Sequence, residues 1–104
     1  MTEAQRIFNG WNAAGAYQAA QQIAKFQNYD PKTEQTIFAF ADGSRLTHDA
    51  RFGSIELRGN GLVDIARFMR DHGDWPLVRV IANLYAQGFT RDEVNAGYRA
   101  YVES

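Results

Sequence analysis

A stretch of alternating side chains around one tight turn constrains the fold of this chain more than any other feature. Residues 36–41 alternate large and small side chains, and this period of two is typical of a β-strand. Asp42-Gly43 supplies a turn that tolerates positive φ. Residues 44–48 then predict the returning strand. The centre of the chain is therefore expected to form an antiparallel hairpin.

The register of this hairpin follows from where its apolar side chains can be buried. If Gly43 takes the left-handed position of a three-residue loop, Phe38 faces Leu46 and Phe40 faces Ser44. This pairing collects the two phenylalanines and the leucine on one face, which a core can cover.

A third strand is expected over residues 54–58. Ile55 and Leu57 are predicted to point inward, and Glu56 and Arg58 outward. Together the three strands predict a small antiparallel meander with one face in water.

A helical pattern precedes the meander. Thr2 and Gln5 have the spacing of a capping box, and Gly10 weakens the first helix enough to allow a kink or restart. Residues 13–27 place alanine, tyrosine and isoleucine side chains on one helical face. Pro31 disfavours helix at the residue before it, so the helix is expected to stop there.

Three further helices are predicted after the meander. Asn60 is the expected cap of the first and Asp74 that of the second, with Pro76 in its first turn. Thr90 and Glu93 form a capping box before the third. The side chains expected to be buried on these helices are Leu62, Val63, Ile65, Ala66, Phe68, Met69, Leu77, Val78, Val80, Ile81, Leu84, Tyr85, Val94, Tyr98, Tyr101 and Val102. The fold class is therefore α+β, a single domain of residues 1–104 with the order α-β-β-β-α-α-α.

Composition and charge exclude several classes of function. The chain has no cysteine, so thiolate chemistry and disulfides are excluded and a reducing, cytoplasmic setting is expected. No apolar run follows the polar N-terminus, so neither a signal peptide nor a membrane span is expected. Eleven basic and twelve acidic residues leave a net charge of −1, without the basic excess of a nucleic-acid binder.

The residues that carry catalysis in other proteins form no recognisable arrangement. His48 and His72 lack the carboxylate spacing of a metal site, and no serine stands in a nucleophile elbow. Asp42 and Asp49 flank turns, where short acceptors cap backbone N–H groups. We therefore expect no enzymatic activity, no metal and no cofactor.

The turn from Gly59 to Gly61 has two interpretations. It follows a strand and opens a helix, an arrangement able to hold an anion beside Arg58 or Arg67. The third glycine of the dinucleotide fingerprint is absent, which favours a simple tight turn.

Residues 84–94 resemble part of a DNA-binding motif. Gly88 predicts a helix stop, and Thr90 and Glu93 a new start. This stretch resembles the segment of LuxR-type helix-turn-helix domains that joins the supporting helix to the first helix of the motif. In that family a further helix enters the major groove. About ten residues follow Val94, enough to finish one helix, so the resemblance implies no DNA-contacting residue.

The layout of the chain resembles several small phage-encoded accessory proteins, anti-CRISPR inhibitors among them. The shared features are shortness, the absence of cysteine, and an N-terminal helix followed by a meander around residues 38–46. The resemblance implies a protein that acts by occupying a partner's surface. The near-neutral charge argues against DNA mimicry.

Two hypotheses about function follow. The first is a small non-enzymatic protein-binding module, a phage or mobile-element accessory protein that inhibits a host complex, with self-association also open. The second is a small nucleic-acid-binding regulator that uses its C-terminal helices and arginines. Nine of the eleven basic residues are arginine, which suits interface contacts, although codon bias in a GC-rich genome produces the same excess.

Core packing beside Ile7 is the alternative for Trp11, and a solvated charge is the alternative for each arginine. The side chains expected to contact a partner are Trp11, Tyr29, Arg45, Arg51, Arg58, Asp64, Arg67 and Arg70.

Overall fold

Residues 1–58 and 61–103 are described by a computed structural model, in which they form five helices and a four-stranded antiparallel sheet. The helices are α1 (Glu3–Gly10), α2 (Ala13–Ile23), α3 (Gly61–Asp71), α4 (Leu77–Ala86) and α5 (Arg91–Glu103). The strands are β1 (Phe26–Asp30), β2 (Gln35–Ala39), β3 (Arg45–Asp49) and β4 (Ser54–Leu57). The α+β class is confirmed, but the prediction had one fewer strand and one fewer N-terminal helix.

The chain divides into two compact units, residues 1–58 and residues 59–104. The first contains α1, α2 and the sheet, and the second contains α3, α4 and α5. Each unit has its own cluster of buried apolar side chains. The expectation of one domain over residues 1–104 stays a prediction. Within the described residues, no helix combines the length and the apolar character that crossing a membrane requires.

The predicted hairpin is confirmed, including its register. β2 and β3 pair with Phe38 opposite Leu46, and the Phe40 amide donates to the Ser44 carbonyl at 2.9 Å. Gly43 has a φ of +84°, the left-handed conformation that glycine adopts without steric cost. The two phenylalanines and the leucine are buried in one cluster, as the register requires.

The predicted helix over residues 13–27 is wrong at its C-terminal end. α2 ends at Ile23, and Phe26–Asp30 forms β1, which pairs with β2 at the edge of the sheet. Only the last residue of β1 is buried, so this strand carries no apolar alternation that a sequence pattern can detect. Its conformation is determined by pairing with β2 and not by local β-propensity.

The helices α1 and α2, the second of them rich in alanine, cover the Phe38 face of the sheet. Ala16 and Ala20 have no exposed surface, which confirms the close approach expected of the alanine face. α1 begins with the predicted capping box. The Gln5 amide donates to Thr2 Oγ1 at 3.1 Å, and the Thr2 amide donates to Gln5 Oε1 at 2.9 Å.

The turn between β2 and β3 also caps α1, a contact that the sequence does not predict. The Glu3 amide donates to Asp42 Oδ2 at 2.8 Å, and the Ala4 amide donates to Ser44 Oγ at 3.1 Å. These bonds satisfy two N–H groups that a helix N-terminus leaves without an intrahelical partner. They also place a carboxylate at the positive end of the helix dipole. The turn therefore fixes where α1 begins on the sheet.

The prediction of a wet second face is wrong for the middle strands. Ile37, Arg45 and Thr47 lie on that face and are buried. One reason is Arg58, which was expected to point into water. Its Nε donates to Thr47 Oγ1 at 2.7 Å and its Nη2 donates to Gln35 Oε1 at 3.3 Å. The side chain thus spans from β4 to β2 and covers the face with its aliphatic stem.

In the second unit, α3 and α5 pack against each other around Ile65. Gly97 of α5 lies so close that an added Cβ would fall 2.6 Å from the Cβ of Ile65. The capping box predicted before α5 is confirmed: the Glu93 amide donates to Thr90 Oγ1 at 3.2 Å, and the Thr90 amide donates to Glu93 Oε1 at 2.9 Å. The other buried side chains of this core are Phe68, Met69, Val80, Leu84, Phe89 and Val94.

The prediction that α4 is mostly buried is wrong. Val80 and Leu84 are buried, whereas 51% of Leu77, 76% of Val78 and 43% of Tyr85 is exposed. Helical spacing shows which side chains share a face, but not how much of that face the neighbours cover. The cap prediction is also wrong: Pro76, not Asp74, is the N-cap residue, and it makes no side-chain cap bond. Four more side chains expected to be buried are exposed: Leu62, Val63, Tyr98 and Val102.

Candidate functional site

Two of the arginines proposed as partner contacts lie in the sheet and are not free at its surface. The pairing of β3 with β4 brings Arg45 beside Arg58, and the Arg58 amide donates to the Arg45 carbonyl at 3.1 Å. Only 7% of Arg45 is exposed, and Arg58 is held by Thr47 and Gln35. The alternative expected for both, a solvated charge, is wrong. Their role in this structure is to complete the second face of the sheet.

Asp49 joins this polar face to Arg51. Gln35 Nε2 donates to Asp49 Oδ2 at 3.3 Å, and Arg51 Nη2 lies 3.4 Å from the same oxygen. The Arg51 amide also donates to Asp49 Oδ1 at 2.9 Å, which confirms the turn-capping interpretation. Desolvation acts to raise the pKa of Asp49, but the hydrogen bonds from Arg51 and Gln35 outweigh it and lower the pKa below 3.8.

Of the three arginines proposed in the meander, Arg51 is the accessible one, with 43% of its side chain exposed. Its guanidinium carbon lies 5.3 Å from the centre of the Phe52 ring, within the range of a cation–π contact. Phe52 is itself largely exposed, in the turn before β4. Sequence reasoning missed Phe52, although a phenylalanine in a predicted turn is a usable signal of an exposed aromatic.

The two aromatic residues proposed as interface anchors are both exposed. Trp11 follows α1 as its C-cap residue, with 58% of its surface exposed and its ring against Gly15. The alternative of core packing beside Ile7 is therefore wrong. Tyr29 lies on the edge strand β1, with 53% of its surface exposed.

The second unit carries an exposed apolar stripe on α4 that the sequence analysis assigned to the core. The α4 stripe consists of the exposed side chains of Leu77, Val78 and Tyr85, together with Ile81, which is half-buried against the core. Leu77, Ile81 and Tyr85 are spaced four residues apart, so they lie along one side of the helix. The α4 stripe lies next to the buried face formed by Val80 and Leu84. It is the part of the apolar surface of α4 that α3 and α5 leave uncovered.

A groove of about 270 Å³ runs between α3 and α5. The α3–α5 groove is lined by Leu62, Val63, Ala66, Arg67, Arg70 and Ala100. Arg67 and Arg70, two of the residues proposed as partner contacts, are exposed here. Asp64, the third candidate on α3, is half-buried and does not line the groove.

A stack of aromatic rings holds the turn between α3 and α4. His72 is buried, its Nδ1 lies 2.8 Å from the Phe68 carbonyl oxygen, and its ring stacks on Phe68 with centroids 4.0 Å apart. Trp75 meets His72 edge-on at 4.5 Å, and the Arg79 guanidinium lies 3.7 Å from the centre of the Trp75 ring. His72 therefore contributes to the packing of this turn.

Two sequence interpretations cannot be compared with the structure. The proposed cap Asn60 and the first glycine of the Gly59–Gly61 turn lie outside the described residues. Among residues 1–58 and 61–103, no cluster of three His, Asp or Glu side chains is placed to hold a metal ion.

No protein-family model matches the chain, and searches of curated proteins and of solved structures found no significant match. The function proposed below is therefore based on the geometry of the structure.

Proposed function

We propose that this protein is a small, non-enzymatic protein-binding module. The observation that carries the proposal is the α4 stripe, where Val78 is 76% exposed between Leu77 and Ile81. An isolated exposed apolar side chain is ordinary, but apolar side chains that adjoin along one helix face are typical of protein–protein contacts. Tyr85 adds an aromatic ring, a residue type enriched among the side chains that dominate binding energy.

The charge distribution supports a protein partner over a nucleic acid. Residues 61–103 contain five arginines and six acidic residues, so this unit lacks the basic excess that phosphate binding uses. The layout shared with small phage-encoded inhibitors makes a host complex the proposed partner. Inhibition then consists of covering a surface of that complex, and the absence of cysteine supports a cytoplasmic setting.

The proposal is tested by recovering stoichiometric partners from host lysate with the wild-type chain and with a Val78→Ser, Tyr85→Ser variant. We expect a partner with the wild type and its loss with the variant, because the substitutions remove apolar contact from exposed positions. Ala86→Ser is the matched control, since Ala86 is exposed on the same helix and lies away from the α4 stripe, and it should retain the partner. Equal recovery by all three proteins, or recovery of nucleic acid alone, contradicts the proposal.

A further inference from the structure

The α3–α5 groove is a separate surface from the α4 stripe, and its shape comes from small side chains. Gly97 lets α5 approach Ile65 of α3. Further along the same two helices, Ala66 and Ala100 line the groove. Two short side chains opposite each other leave the hollow of about 270 Å³ unfilled. Leu62 and Val63, both exposed, extend its apolar lining.

The charged side chains that line this groove in the described residues are both basic. They are Arg67 and Arg70. Arg70 is exposed, and no carboxylate of the described residues lies within salt-bridge distance of it. The groove therefore combines an apolar lining with a guanidinium available at its rim.

We propose that the α3–α5 groove binds an acidic, amphipathic segment of a partner protein. This inference rests on the proposed function and names the chemistry of the segment bound. An apolar side chain of the partner fills the hollow beside Ala66 and Ala100. A carboxylate on the same segment accepts paired hydrogen bonds from the planar guanidinium of Arg70.

The lining favours a peptide over a nucleic acid as the occupant. A sugar–phosphate backbone satisfies Arg70 but provides no apolar group to cover Leu62 and Val63. An amphipathic helix presents an apolar side chain and a carboxylate together, because side chains three and four residues apart lie on one face.

The test uses two synthetic helical peptides with the same leucine spacing, one with glutamates and the other with lysines at the intervening positions. Binding is followed by fluorescence anisotropy and by NMR of the full-length protein. We expect the glutamate peptide to bind and to shift the Ala66 and Ala100 signals. Arg70→Glu should raise its Kd about tenfold or more, the loss expected for a charge-assisted contact. Arg99→Glu makes the same charge change at an exposed α5 position outside the groove lining and should leave the Kd unchanged.

Several outcomes overturn the inference. Equal binding of the lysine peptide, equal loss in the Arg99→Glu control, or signal shifts away from α3 and α5 each do so. Displacement of the peptide by a single-stranded oligonucleotide would identify a nucleic acid as the occupant. Concentration-dependent shifts of Ala66 and Ala100 without peptide would identify a second copy of the chain. Failure here leaves the lysate experiment on the α4 stripe unaffected, so the two proposals fail separately.

Discussion

At Gly97 a single missing methyl group allows two helices to pack together. An alanine Cβ would overlap the Ile65 side chain, with only 2.6 Å to its Cβ. Both residues are buried, and both belong to packed helix backbones, so neither can move aside easily. This glycine is therefore required by packing, although glycine is a poor helix former.

We predict that Gly97→Ala lowers the free energy of unfolding by about 1–3 kcal/mol, the usual cost of overpacking a core. This loss should appear even though alanine favours the helix by ~1 kcal/mol. Gly10→Ala is the matched control, because no atom lies within 4 Å of a Cβ added there. Urea unfolding should show Gly10→Ala unchanged or more stable, and stabilisation by Gly97→Ala would contradict the packing argument.

Asp42 makes stability depend on pH at the acid end. The Ser44 hydroxyl and the Glu3 amide bond to its carboxylate and lower its pKa from 3.8 to about 2. Because the pKa is lower in the folded state, the stabilisation is complete above pH 3.8 and is lost as the pH falls toward 2. We predict that wild type is more stable than Asp42→Asn at pH 7 and that this difference shrinks toward pH 2. Thermal unfolding at stepped pH values measures it, and a difference independent of pH would contradict the prediction.

At the scale of elements, the sequence predicts those structures whose signal is local. The β2–β3 register follows from one turn glycine and three apolar side chains, and both capping boxes follow from residue spacing. β1 is missed because its side chains are mostly exposed on either face, so only its partner strand specifies it. The local sequence pattern therefore determines the β2–β3 hairpin, whereas pairing with β2 determines the edge strand β1.

The site residues were less predictable than the fold, for a related reason. Alternation places Arg58 on the correct face but gives no sign that its long side chain folds back across two strands. Periodicity identifies the α4 stripe as apolar but not as uncovered. Exposure depends on which elements lie nearby, and that information is absent from a single helix or strand.

The capping box of α5 offers a prediction for a whole helix. Thr90 Oγ1 accepts from the Glu93 amide at the helix start, a hydrogen bond that an alanine side chain cannot make. Thr90→Ala should therefore cost about 1 kcal/mol of stability, whereas Thr90→Ser keeps the acceptor and should cost much less. Urea unfolding of the two variants provides the comparison, and equal losses would show that the hydroxyl does not act as a cap.

At the scale of the whole molecule, the open question is whether both units unfold together. Each unit is small, and chains of roughly 40 to 60 residues bury too little apolar surface to be more than marginally stable. We therefore predict one cooperative transition for the full chain. Trp11 lies in the first unit and Trp75 in the second, so their indole N–H signals report on each unit separately. In a urea series followed by NMR, the native signals of both should disappear together, and separated midpoints would contradict the single-domain prediction.

The order of strands in the sheet is the same as their order in the chain. Each strand therefore finds its partner one short turn away, and closing such small loops costs little chain entropy. Sheets assembled from neighbouring strands fold faster than sheets that join distant segments. During synthesis on the ribosome, β2, β3 and β4 each emerge directly after one strand with which they pair. The sheet can then be completed strand by strand from β1, and at each stage its two open edges are β1 and the strand added last.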